Sequence, residues 1–140
     1  MGGITMKTIF EKIRDKEIPS YMLYEDDLVM SFLDISQATK GHCLVVSKEA
    51  FKDALETPDH VLSHMMVIGK KIAEAICVTL HPKGFNFLSN IGGIAGQTVF
   101  HVHLHIIPRY DKDGVTIAFH ENTSEKDFDY LFTSITKALS

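Results

Sequence analysis

Phe100-His101-Val102-His103-Leu104-His105-Ile106-Ile107-Pro108 is the stretch on which the reading of this chain turns. Histidine and branched aliphatic residues alternate strictly, which is the period of a β-strand. The three imidazoles therefore share one face, and Val102, Leu104 and Ile106 take the other. Two residues of strand rise place neighbouring histidines roughly 6.6 Å apart along the backbone. Eight histidines occur in 140 residues, and three of them fall within these five positions.

Working upstream, the alternation predicts a strand over Thr98–Ile107, preceded by a strand over Phe85–Ser89. Asn90-Ile91-Gly92-Gly93-Ile94-Ala95-Gly96 joins them as the loop of a long hairpin. No helix follows these glycines as a dinucleotide fingerprint requires, and a turn needing positive φ accounts for them. Tyr21–Glu25, Leu28–Leu33 and Gly41–Ser47 predict three further strands. In the third, His42, Leu44 and Val46 face one side and Cys43 and Val45 the other. Ile9, Phe10 and Ile13 predict a short helix ending near Asp15-Lys16-Glu17. The clearest helix begins at Thr57, with Thr57 as cap, Pro58 at the first helical position and Asp59 at the positive dipole end, and runs to about Val78. Its apolar stripe is Leu62, Met65, Met66, Gly69, Ile72, Ala73 and Ile76. Val115–Phe119 reads as a short strand extension. Phe128, Leu131, Phe132, Ile135 and Leu139 mark a last amphipathic helix with Ser124 as candidate cap. The whole is an α+β fold: an antiparallel sheet of about five strands, one long helix and short terminal helices.

A chain of 15.7 kDa with 45% hydrophobic and 23% charged residues suits one globular domain over residues 1–140. Net charge is −4, and no basic stripe marks a partner such as polymeric nucleic acid. No run reaches the ~20 apolar residues of a membrane span, and Met1–Thr8 lacks a leader pattern. Cys43 and Cys77 fit no short metal motif and read as buried, reduced thiols, so the expected location is cytoplasmic.

Three chemistries suit a histidine row. Neutral imidazoles are good zinc ligands, but the row needs a fourth group and oriented carboxylates, and the nearest acids are Asp111 and Asp113. A wet strand face explains one histidine better than three in register. Phosphorus chemistry gives neighbouring rings distinct tasks: one neutral ring attacks phosphorus, and a second protonates a leaving group or binds the phosphoryl oxygens. Gly96, Gln97 and Thr98 stand just upstream as further donors.

The stretch Gly96-Gln97-Thr98-Val99-Phe100-His101-Val102-His103-Leu104-His105-Ile106-Ile107 resembles the signature of the histidine triad superfamily. Glu17-Ile18-Pro19, Tyr24-Glu25-Asp26-Asp27, Phe32-Leu33-Asp34-Ile35-Ser36 and Gly41–Val46 follow that family's order, so the resemblance covers about residues 8–110, with a C-terminal extension over 111–140. It implies a nucleotide hydrolase needing no cofactor, with His103 as the nucleophile that becomes nucleotidylated. It further implies that His101 and His105 position the site and contact phosphate, that His42 lines the α-phosphate pocket, and that Thr98 supplies a hydroxyl. Gln97 is expected on the leaving group and phosphate, Asn90 near phosphate or ribose, and Asp34 on both ribose hydroxyls. Phe10, Ile13, Ile18, Phe32 and Ile35 would form the slot for the base.

Departures from the family pattern matter. The cysteine positions of a structural zinc site found in many bacterial members are Thr8 and Glu11 here, and a further ligand position is Ala50, so no metal is expected. His105, where transferase relatives carry glutamine, implies water as acceptor. The resemblance thus implies a phosphoramidase-like enzyme releasing a nucleoside monophosphate from purine nucleoside 5′-phosphoramidates. Dinucleoside polyphosphate hydrolysis and non-catalytic nucleotide binding are the alternatives. It also implies a homodimer whose sheet continues across the two-fold axis.

Overall fold

The computed structural model describes residues 6–121 and 126–140. Five strands form one antiparallel sheet: β1 (Met22–Glu25), β2 (Val29–Leu33), β3 (Cys43–Ser47), β4 (Gly84–Leu88) and β5 (His103–Arg109), ordered β1-β2-β3-β5-β4. Three α-helices accompany it: α1 (Ile9–Arg14), α2 (Asp59–Leu80) and α3 (Phe128–Leu139). This is the predicted α+β architecture, and β4 and β5 are the predicted hairpin.

Period-two alternation gives the sheet two buried faces. Val29, Cys43, Val45, Leu104 and Ile106 lie under α2, meeting Val61, Met65, Ile68, Ala73 and Ile76. Met30, Phe32, Leu44 and Val46 lie under α1, meeting Phe10 and Ile13. The register pairs Leu44 with His105 and Val46 with His103, so the two strand histidines inherit the α1 face. Helix α2 can lie close because residue 69 has no side chain: a Cβ there would stand 3.1 Å from Ile106 Cδ1 and 3.2 Å from Leu104 Cδ2.

Several local expectations change. The strand begins at His103, not Thr98, because residues 98–102 cross from the loop to the ladder without a strand partner. Val115–Phe119 forms no strand, and Phe119 is 91% exposed. Pro58, not Thr57, caps α2. Thr57 instead donates its hydroxyl to the Asp53 carbonyl at 2.7 Å, closing the short turn before the helix. Met65, Gly69, Ile72, Ala73 and Ile76 of the expected stripe face the core, but one edge of it shifts: Val61 and Ile68 are buried, whereas Leu62 and Met66 reach solvent. The proposed cap Ser124 lies outside the described residues, and the Asp127 carboxylate caps α3 by accepting from Tyr130 N–H at 3.1 Å. Cys77 is exposed; Cys43 is buried, which pushes its thiol up to about 12 and leaves it inert. Among the described residues no helix is long and apolar enough to cross a membrane.

Candidate active site

A cleft of about 530 Å³ opens on the α1 face of the sheet. Phe10, Ile13 and Ile18 wall one side with Phe32; Asp34, His42, His103 and His105 supply the polar floor; Asn90, Gly96 and Thr98 form the loop rim. Ile35 also borders it, 85% exposed, so it edges the slot and is not part of its packing. Gly96 needs its left-handed φ of +100° to bring the loop back, and a Cβ there would stand 3.2 Å from Asn90 Nδ2.

Hydrogen bonds fix the state of each imidazole. His103 Nδ1 lies 2.7 Å from the His101 carbonyl, which only accepts, so Nδ1 carries the proton. Its Nε2 is left with a bare lone pair, as a nucleophile requires. His42 Nδ1 accepts from the Ala38 N–H at 3.1 Å, so the proton of neutral His42 is on Nε2. That N–H donates to His105 Nδ1 at 3.0 Å, and His105 is left with a proton on Nε2. The floor therefore sets a lone pair on His103 beside an N–H donor on His105, with ring centroids 5.0 Å apart.

His101 does not make the phosphate contact expected of it, although it lies where it can position the site. It precedes the strand, is fully buried, and does not line the cleft. Its Nε2 donates to the Ser47 carbonyl at 2.7 Å, and its Nδ1 accepts from the Thr8 hydroxyl at 2.6 Å. With both nitrogens engaged it cannot bind phosphate, and the row cannot chelate a metal. Gln97 also departs. It is buried, its Oε1 accepts from Gly92 N–H at 2.9 Å, and its Nε2 donates to the Lys52 and Val99 carbonyls. It braces the loop from behind and does not reach into the cleft.

Asp34 Oδ1 accepts from both the N–H and the hydroxyl of Ser36, at 2.9 and 2.6 Å. Oδ2 stands 3.6 Å from His42 Nε2. Burial raises the carboxyl pKa, but the Ser36 bonds more than offset it and hold the group below its ordinary value. Asp34, His42 and His105 bring three possible metal-ligating atoms within 4.8 Å of one another. However, the two histidine nitrogens meet at 3.0 Å with ring centroids 5.2 Å apart, a nearly head-on N–H···N bond. A tetrahedral ion needs both lone pairs turned to one point, so the trio suits proton sharing better than metal coordination.

Burial lowers the pKa of all four histidines, with carbonyl or carboxylate partners only partly opposing it at His42, His101 and His103. His105 falls furthest, to about 4, because burial is joined by repulsion from His103 and His42. In the unfolded chain these rings take protons near pH 6.5, so the unfolded state binds more protons below that pH. Stability contributed by the neutral rings is complete above about pH 6.5 and is lost progressively toward pH 4. We expect thermal melts to show a falling Tm across this window. The acid limb of activity should likewise lie below pH 6.5; a limb at or above 6.5 would contradict a neutral, buried site.

Thr8, Ser36, Ala38 and Ser47 are site residues that sequence reasoning missed. Only Thr8 carried a signal, since Thr8-x-x-Glu11 is a capping box. The other three act through backbone groups or a local turn, which no side-chain pattern reports.

The HIT domain family model matches residues 15–112. The protein named Protein hit of Bacillus subtilis is 43% identical over 136 residues, 94% of each chain. A crystal structure of a HIT family member from Bacillus subtilis superposes with TM-score 0.88 at 42% identity, covering 96% of this chain and 99% of that one. Adenylylsulfatase HINT3 of Arabidopsis thaliana is 39% identical over 105 residues, 75% of this chain and 53% of that protein. The matched span carries all five strands, α2 and the whole histidine row, and the chain belongs to the HIT family, the histidine triad superfamily.

Proposed function

We propose that this protein hydrolyses purine nucleoside 5′-phosphoramidates, such as adenosine 5′-monophosphoramidate, by way of a nucleotidyl-histidine. The observation that carries this reading is the bare Nε2 of His103 beside the N–H of His105 at the floor of an apolar-walled cleft. In the first step His103 Nε2 attacks the α-phosphorus, the P–N bond of the substrate breaks, and the amine leaves with a proton from the water-accessible mouth, whose rim includes Thr98. His105 donates its N–H to a phosphoryl oxygen as charge shifts onto it. In the second step water attacks the same phosphorus and gives up a proton to the water-accessible mouth, replacing the one taken by the amine. The His103–P bond breaks and nucleoside monophosphate is released. His103 begins and ends neutral with Nδ1 protonated. The slot formed by Phe10, Ile13, Ile18 and Phe32 takes the base, and Asp34 takes the ribose.

The name of the Arabidopsis relative, an adenylylsulfatase, supports an adenylyl group on a small leaving group. Dinucleoside polyphosphates, which need room for a second nucleotide, remain the alternative substrate; nucleotide binding without turnover is the other. Assay of adenosine 5′-phosphoramidate beside diadenosine polyphosphates, each with and without chelator, tests the reading. Phosphoramidate turnover that survives chelation is expected. Turnover of the polyphosphate alone, or of neither, overturns it.

We further propose a homodimer confined to non-nucleic-acid, non-membrane work in the cytoplasm. Supporting it, Leu62 and Met66 border an apolar groove of about 450 Å³ with Met65, Val102 and Leu104. Strand β4 is a sheet edge beside that groove, and a two-fold pairing would remove the edge. Light scattering at micromolar concentration should give about twice 15.7 kDa; a monomer there would reject the assembly.

A further inference from the structure

We propose that Thr8 is a positioning residue for the nucleophile, acting through His101. The backbone that holds His103 is not itself held by the sheet. Residue 101 lies before β5, and its carbonyl, which receives the His103 Nδ1 proton, has no ladder partner. Val102 N–H donates to the Phe51 carbonyl at 2.7 Å, one main-chain anchor beside it. What fixes residue 101 further is its own side chain, tied on one side to Ser47 of β3 and on the other to Thr8.

The direction of the Thr8 bond follows from the other contacts. A carbonyl cannot donate, so His101 Nε2 carries the proton and His101 Nδ1 must accept. The Thr8 hydroxyl therefore gives its proton to His101, and its oxygen accepts the Glu11 N–H at 3.1 Å. One hydroxyl both caps α1 and pins the histidine. Phe10, on the same helix, packs edge-on against His101 and His103, with centroids 5.4 and 5.0 Å away. The base slot and the nucleophile's mount are thereby one piece.

Without that hydroxyl, a fully buried ring nitrogen has no donor. The ring relieves this only by turning, which breaks the Ser47 bond and shifts the carbonyl under His103. A displacement approaching 1 Å at a reacting group costs on the order of 100-fold in rate. Since Thr8 does not line the cleft, ground-state binding should be spared.

Three variants weigh positioning against a weakened capping box. Thr8→Val removes the donor at nearly constant volume and, with it, the hydroxyl's half of the capping box; Thr8→Ser keeps both. Glu11→Ala removes the reciprocal half while leaving the Thr8–His101 bond in place. Thr8→Val should lower kcat for adenosine 5′-phosphoramidate by about 10–100-fold with KM within about twofold. Nitrogen-15 NMR of the nucleotide-free protein should show His103 leaving the single Nδ1–H form. Thr8→Ser should restore both readouts, and Glu11→Ala should lower Tm while moving neither. Equal loss of kcat in Thr8→Val and Glu11→Ala, or an unchanged His103 spectrum in Thr8→Val, would overturn the proposal. The kcat arm rests on the phosphoramidase reading. If the wild-type protein turns over no phosphoramidate, that reading fails by itself and the NMR comparison still decides the role of Thr8.

Discussion

Replacing His103 with Ala is expected to cut turnover by about 10³–10⁶-fold, because it removes the nucleophile of a two-step displacement. No neighbour can take its place. His105 presents an N–H and not a lone pair, since its Nδ1 is filled by His42. The two nitrogens of His101 are bound to Thr8 and Ser47. His103 is only 8% exposed and packs against Phe10, so the variant also leaves a void beneath the base slot. That void should cost about 1–3 kcal/mol of stability, a range usual for single buried substitutions. His103→Gln fills most of the space and should show the same loss of rate with a smaller loss of Tm. Rapid-quench measurements should find no covalent nucleotidyl-protein in either variant. Activity of His103→Ala within tenfold of wild type would reject the assignment.

Asp34→Ala is expected to erase most of the preference for ribonucleotides over 2′-deoxyribonucleotides. A charge-assisted hydrogen bond is worth about 1.5–3 kcal/mol, which corresponds to roughly 10–150-fold in discrimination. The structure narrows how that discrimination arises. Oδ1 already accepts two bonds from Ser36, so Oδ2 is the oxygen with room for a ribose hydroxyl. Ser36→Ala should release Oδ1 from the side-chain bond while leaving the backbone bond, and it should change discrimination less than Asp34→Ala does. Comparing kcat/KM for matched ribo- and 2′-deoxy substrates measures both effects. Equal discrimination in wild type and Asp34→Ala would remove Asp34 from ribose recognition.

The alternation around His103 was legible because a strand's period is local: it assigned Leu104 and Ile106 to one face and His103 and His105 to the other before any partner was known. The same holds for β3, where Leu44 and Val46 separate from Cys43 and Val45, and for the amphipathic run of α3. The edge of the α2 stripe was less legible. Its apolar residues cover more than half the helix circumference, so sequence alone could not choose between Val61 with Ile68 and Leu62 with Met66 as the buried pairs.

Sequence by itself determined the α+β class, the order of the elements and the hairpin joining β4 to β5, which follow from periodicity and turn chemistry, both properties of neighbouring residues. The family resemblance named most residues that gather at the cleft, His101 and Gln97 excepted. The family resemblance pointed to His103, and tertiary structure decided the hydrogen-bonding state of each ring. Three similar imidazoles become one with both nitrogens engaged, one with a bare Nε2 and one with a proton left on Nε2 because Thr8, Ser47, the His101 carbonyl and the Ala38–His42 pair approach from other elements. The same is true of Gln97, which the loop's closure turns away from the cleft. A side chain's tautomer and pKa depend on which donors, acceptors and apolar walls lie within a few ångströms, and folding brings those from positions up to 93 residues distant.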